Sequence, residues 1–225
     1  MPLPLIDAVR EELLPSEGVT KFSPNRRFTT IFSEGDAADS LFYLESGLVK
    51  MFKRNTDGKE IIVQIFAPGH LFGEQSLQTD GTRSVSAEIL QEGVLHVIPA
   101  NTFVQFCDER PFLWRSCAEM VIHRKRELEK KIELLCLHDV EYRILYYLAE
   151  LATIFGVKTA QDVSVSLSQG ELASLIGATR ETTSTTLNTL ARRGLIRLGR
   201  RQLILPSIDQ VKTAAADRAA KAVAI

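Results

Sequence analysis

The 225 residues lack an excess of either charge: 27 Lys and Arg stand against 28 Asp and Glu, a formal net charge of −1. With 45% hydrophobic residues, that balance excludes a disordered polyelectrolyte. Taken whole, it gives no sign of a nucleic-acid partner. No run approaches the ~18 apolar residues that a membrane span needs. The opening MPLPLIDAVREELL has no basic segment followed by an apolar one, so no secretory signal is expected. Cysteine is scarce. Cys107, Cys117 and Cys136 are odd in number and match no disulfide or zinc framework, and a reducing cytoplasm is the expected setting. Glycine is missing between Gly93 and Gly156, and proline between Pro111 and Pro206.

The length fits one large domain or two small ones. Gly35, Gly47, Gly58, Gly69, Gly81 and Gly93 recur about every dozen residues and separate short β-rich runs. The runs Leu41–Leu44, Leu48–Phe52, Ile61–Phe66, Val85–Ile89 and Val94–Ile98 predict an antiparallel sandwich or roll. Asp57-Gly58 is a hairpin turn signal. After Pro111 the pattern turns helical. Trp114, Ala118, Val121, Lys125, Leu128, Ile132 and Leu135 repeat in steps of four and three, a heptad seam with Lys125 as its charged member. Two readings stay open: a helix packed on its own domain, or a parallel dimer seam.

A second helix is expected over Val140–Phe155, ending at Gly156. Ser168-Gln169-Gly170-Glu171 reads as a capping box, and its helix ends at Gly177. Thr179 is the expected N-cap of the next helix, which runs to Arg193 and stops at Gly194. Leu195–Leu198 and Leu203–Leu205 flank Gly199-Arg200-Arg201 and predict a hairpin wing behind a helix-turn-helix. The Ala-rich tail from Ser207 predicts a short, poorly anchored helix. Helical period puts Arg180, Glu181, Ser184, Thr185 and Asn188 on one face, with Thr183, Leu187 and Leu190 opposite. Arg can donate two bonds to guanine and Glu can accept from cytosine, so that face suits a major groove. Ser168, Thr179, Arg192, Arg193, Arg197, Arg200 and Arg201 are candidates for phosphate contact. A solvated polar face beside an accidental basic wing is the plain alternative. Charge distribution favours the first reading. Residues 1–139 hold 16 Lys and Arg against 21 Asp and Glu, and residues 140–225 hold 11 against 7.

In the first half, Pro68-Gly69-His70-Leu71-Phe72-Gly73-Glu74-Gln75-Ser76-Leu77 precedes Arg83-Ser84. Gly73 lets the backbone approach a ligand closely. A turn beginning at Glu74 offers free N–H groups to an anion, and Arg83 with Ser84 can clamp a phosphate. A carboxylate beside such an arginine points to a ligand with both phosphate and hydroxyls, such as a ribose. A Gly-Glu turn salt-bridged to a nearby arginine is the structural alternative.

Three motifs together resemble those of the cAMP receptor protein/FNR (CRP/FNR) family of bacterial transcription regulators. They are Phe72-Gly73-Glu74 with Arg83-Ser84, His138-Asp139-Val140, and Gly177-Ala178-Thr179-Arg180-Glu181-Thr182. The resemblance covers nearly the whole chain. It implies an α+β architecture: a cyclic-nucleotide-binding-type antiparallel β-roll (jelly roll) over residues 1–109, a dimerisation helix over 110–138 and a winged helix-turn-helix over 139–225. It further implies a homodimer on a near-palindromic operator in double-stranded DNA, a hinge near Asp139, and RNA polymerase as a partner. Glu74 would bond a ribose 2′-hydroxyl, Gly73 and Ser84 would bond the cyclic phosphate, and Arg83 would neutralise it. The effector would be a cyclic nucleotide such as cAMP, cGMP or cyclic di-GMP. Leu128 and Glu129 stand where cAMP receptors place a Thr-Ser pair against the adenine. Leu128 offers no hydrogen bond there, which counts against the usual cAMP activation. Thr185 stands where the family has a second base-reading Arg, so the half-site would differ at that base.

Other readings of the same residues are a ligand-independent regulator with a vestigial pocket, a haem sensor using Pro2 and His70, and a cupin-like metalloenzyme. No cysteine precedes Cys107, so an iron–sulfur cluster is not expected. His70 and Glu74 lack the second adjacent His of a cupin, and His96 stands alone. No catalytic or metal-ligating residue is therefore expected.

Overall fold

The β-rich runs pair into one antiparallel sheet, preceded by a short helix α1 (Pro4–Ala8) and a π-helical turn, Val9–Leu13. Its strands are β1 (Thr20–Phe22), β2 (Thr30–Phe32), β3 (Ser40–Arg54), β4 (Glu60–Phe66), β5 (Leu71–Phe72) and β6 (Ser86–Pro99). They run in the order β1-β6-β3-β4, with β2 also on β6 and β5 on β3. The computed structural model describes residues 4–24, 26–79, 81–159 and 161–223, so Pro2 lies outside the described residues. It divides into two units: Met1–Asp57 with Val63–Leu128, and Gly58–Ile62 with Glu129–Ile225.

Four of the expected runs are in fact two strands. Leu41–Leu44 and Leu48–Phe52 both lie in β3, while Val85–Ile89 and Val94–Ile98 fall along β6 apart from Val85. Gly47 and Gly93 are not turns between strands but close approaches within them. A Cβ on Gly47 would stand 2.6 Å from the Gln91 carbonyl oxygen, and one on Gly93 would overlap the Ser46 carbonyl. The register shifts at this point, as it does at a bulge, where glycine relieves crowding. The Asp57-Gly58 turn forms as expected.

The roll interior is aromatic, with Phe32, Phe42, Phe66 and Phe72 buried alongside Leu44, Val49 and Leu95. A second cluster joins Leu5, Val9 and Leu13 to Leu41, Leu71, Phe103 and Met120. The sheet is followed by α2 (Ala100–Asp108) and the 26-residue α3 (Phe112–Leu137). Leu113, Cys117, Met120 and Arg124 follow helical spacing and are buried within the first unit. A different stripe stays apolar and open: Val121, Leu128 and Ile132 are 47%, 41% and 61% exposed. It coincides with the heptad seam.

The second unit continues with α4 (Val140–Phe155), β7 (Val157–Lys158), β8 (Val163–Val165), α5 (Gln169–Ile176), α6 (Arg180–Arg192), β9 (Arg197–Gly199), β10 (Gln202–Leu205) and α7 (Ile208–Val223). Its sheet runs β7-β8-β10-β9. The tail is not poorly anchored. It forms α7, which packs on α4, buries Val211 and Ala215 one turn apart, and sends Arg218 to the Asp139 carboxylate at 2.5 Å. Among the described residues no helix is long and apolar enough to cross a membrane.

Adding a methyl where Gly93 meets the Ser46 carbonyl forces the two long strands apart. Gly93→Ala is expected to destabilise the roll by about 2 kcal/mol, the usual scale for overpacking. Urea unfolding followed by circular dichroism measures this, and an unchanged midpoint would contradict it.

Candidate functional site

β5 ends at Phe72, and the chain turns at Gly73 into a single 3-10 turn, Glu74–Leu77. Arg83, just before β6, is only 2% exposed. Its Nη1 donates to the Gly73 carbonyl at 3.0 Å and its Nη2 to the Ser40 carbonyl at 2.6 Å, while Nε has no partner among the described residues. The guanidinium lies 4.4 Å from the Phe32 ring centroid and 5.4 Å from that of Phe42. Burial holds its pKa below the ordinary arginine value, although Asp39, Glu74 and Asp36 act in the opposite sense.

The expected alternative, a Gly-Glu turn salt-bridged to an arginine, does form, but the arginine is not Arg83. Glu74 instead takes Arg124 of α3, which is 8% exposed and also donates to the Leu71 carbonyl. Sequence reasoning missed Arg124 because it counts as one more charge on a polar helix face. Its spacing from Leu113, Cys117 and Met120 was the available signal. Ser84 is closed onto Gln75: its backbone N–H donates to Oε1 at 3.2 Å and its Oγ accepts from Nε2 at 2.5 Å. A Cβ on Gly73 would stand 3.0 Å from the Phe42 ring, so the close approach here is to protein. Phe32, Phe42, Phe72 and Phe66 form a column with successive centroids 5.5, 5.3 and 4.7 Å apart.

Gly73, Glu74, Arg83 and Ser84 are thus brought together, whereas Leu128 and Glu129 occupy exposed positions on α3. His70 Nδ1 bonds the Ala67 backbone and His96 pairs with Glu45. Among the described residues no group of three or more His, Cys, Asp or Glu could hold a metal ion.

In the second unit both caps form as read. Ser168 Oγ accepts from the Glu171 N–H at 3.2 Å, and the Glu171 carboxylate accepts from the Ser168 N–H at 2.6 Å. Thr179 Oγ1 accepts from the Thr182 N–H at 3.1 Å. The hydroxyl run in α6, a poor helix former by propensity, bonds its own backbone. Thr183 and Thr186 each donate to the carbonyl four residues back, at 2.8 Å. Thr183, Leu187 and Leu190 are fully buried, while Arg180, Glu181, Thr185 and Asn188 are exposed and Ser184 is half-buried. Arg192 donates to Thr189 at 3.3 Å, and Arg200 with Arg201 stands exposed at the wing turn. Arg193 and Arg197 already hold carboxylates, Glu141 at 2.5 Å and Asp162 respectively.

Lys131, near the end of α3, is 8% exposed and donates to the Leu175 carbonyl of α5 at 2.8 Å. Burial pushes its pKa down to about 8.

The "Cyclic nucleotide-binding domain" family matches residues 24–110, and the "Crp-like helix-turn-helix domain" family matches residues 142–213. The chain is 31% identical over 169 residues to the cyclic AMP receptor protein of Thermus thermophilus, covering 75% of this chain and 76% of that one. It is 31% identical over 184 residues to a CRP-like cAMP-activated global transcriptional regulator of Mycobacterium tuberculosis, covering 81% and 82%. A solved structure of a CRP-family transcriptional regulator from Thermus thermophilus aligns with a TM-score of 0.75 at 26% identity, covering 88% of this chain and 96% of that chain.

The folded chain sheds the Lys131 proton near pH 8, whereas an unfolded lysine keeps it to about pH 10.4. In that window the unfolded state binds more protons, so stability rises with pH. Urea unfolding at pH 7.5 and 9.5 should show wild type gaining stability on alkalinisation relative to Lys131→Met. Identical pH dependences would remove this assignment.

Proposed function

The chain belongs to the CRP/FNR family of bacterial transcription regulators, and from that premise we propose that it works as a homodimer reading a near-palindromic operator with α6. A small nucleotide-like anion in the β-roll would govern it through the hinge at Asp139. The observation that carries the DNA reading is the build of α6. Its apolar side is sunk on Leu187 and Leu190, and its first turns present Arg180, Glu181, Ser184, Thr185 and Asn188. Ser168, Thr179, Arg192, Arg200 and Arg201 would hold phosphates and set register. The open apolar stripe through Val121, Leu128 and Ile132 supports pairing of two α3 helices.

The effector reading rests on Arg83. A buried guanidinium that, among the described residues, bonds only carbonyls and leaves Nε unmatched favours an anion. Such a ligand would displace Arg124 or Gln75 to reach Glu74 and Ser84. Because those pairs are complete without it, a ligand-independent regulator is the second reading.

DNA affinity should fall by roughly 10³-fold or more between 50 and 200 mM salt, as expected when a dimer neutralises about six phosphates or more. A flat salt dependence in fluorescence anisotropy would sink the DNA reading. A thermal-shift screen with cAMP, cGMP and cyclic di-GMP separates the effector readings, since a native-state ligand raises apparent stability. One of them is expected to raise Tm in wild type and to leave Arg83→Leu unmoved. No shift with any nucleotide, together with full DNA binding, would favour the ligand-independent reading.

A further inference from the structure

The turn between α5 and α6 aims α6, and side chains from outside the pair hold it. Lys131 Nζ donates to the Leu175 carbonyl at 2.8 Å, and Arg143 Nη1 donates to the Ile176 carbonyl at 2.7 Å. These are the last two carbonyls of α5, which a helix leaves without internal partners. Both cations also sit at the negative end of the helix dipole, where positive charge is favoured. The next residue, Gly177, turns left-handed at φ +65° and packs so closely on α3 that an added Cβ would stand 2.7 Å from Leu135 Cδ2. Lys131 and Leu135 are one helical turn apart on α3, so they present a single surface to this turn. The Tyr147 ring of α4 lies 5.3 Å from Nζ and closes the other side.

We propose that Lys131 and Arg143 are positioning residues for the recognition helix. They fix the α5–α6 turn to the C-terminal part of α3 and the first turn of α4, so that α6 keeps its place on that part of α3 until bending at the Asp139 hinge opens the clamp. The inference rests on the reading of α6 as the DNA-reading helix. Thr179, the N-cap of α6, begins two residues beyond the held segment, which leaves little slack between clamp and helix. A lysine that merely filled space would need no acceptor, and the interior could take an apolar chain of the same length more cheaply.

Wild type, Lys131→Met and Lys131→Arg are compared as full chains by two measurements. One is amide hydrogen exchange over residues 177–183. The other is affinity for a duplex that wild type selects from a random-core library. Lys131→Met should exchange roughly tenfold faster at the turn and bind the duplex roughly tenfold more weakly, the scale of losing one charge-assisted bond. Lys131→Arg, which keeps a cationic donor, should recover most of both. Equal exchange and affinity in wild type and Lys131→Met would overturn the proposal. So would a Lys131→Arg variant as impaired as Lys131→Met, because packing rather than donation would then be what was lost. If Lys131→Met does not fold, Arg143→Met makes the same comparison through the second donor. If wild type selects no duplex, the DNA reading fails, and the exchange measurement alone still decides whether Lys131 holds the turn.

Discussion

Three cations taken out of water organise both halves of this chain. Arg83, Arg124 and Lys131 are each more than nine-tenths buried, and a buried charge is costly unless it is hydrogen-bonded. Each donates to a backbone carbonyl at the end of a secondary-structure element, although Arg83 Nε has no partner among the described residues. Arg83 ties Gly73 to Ser40, Arg124 ties Leu71 and Glu74 to α3, and Lys131 ties the end of α5 to α3. Their donors therefore fix loops and turns that hydrophobic packing, being non-directional, would leave loosely aimed.

The long helix α3 is the common partner. One of its faces is spent inside the chain, on Leu113, Cys117, Met120 and Arg124 and then on Lys131 and Leu134. Its other apolar stripe is left open. Dimerisation through that stripe is part of the proposed function, and it would bring two copies of the same clamp arrangement onto one axis. In the roll, the phenylalanine column gives Arg83 and Arg124 their apolar walls, with Arg124 5.3 Å from the Phe66 centroid. The cluster of Gly73, Glu74, Arg83 and Ser84 is consequently closed by bonds already made, and a ligand of the kind proposed would compete with them.

Much of the second unit was legible because its signals are local. Ser168 with Glu171, Gly177, Thr179 and the Leu187/Leu190 spacing act through residues three or four apart, and each forms as read. The roll was harder. Gly47 and Gly93 carry the same letters as turn glycines, and only the opposite strand reveals them as a crowded bulge within two long strands. The Ala-rich tail gave a helix but not its anchor, since Asp139 lies far away in sequence from Arg218.

Legible in the letters alone were the long helices, the caps of α5 and α6, the polar face of α6, the heptad stripe and the charge difference between the halves. All of these depend on spacing along one chain. Tertiary structure alone decided the partners. Glu74 pairs with Arg124 rather than Arg83, Ser84 with Gln75, Arg193 with Glu141, and Lys131 with the Leu175 carbonyl. A side chain's charge is written in its letter, but which acceptor it reaches depends on what the fold brings within about 3 Å once water is excluded.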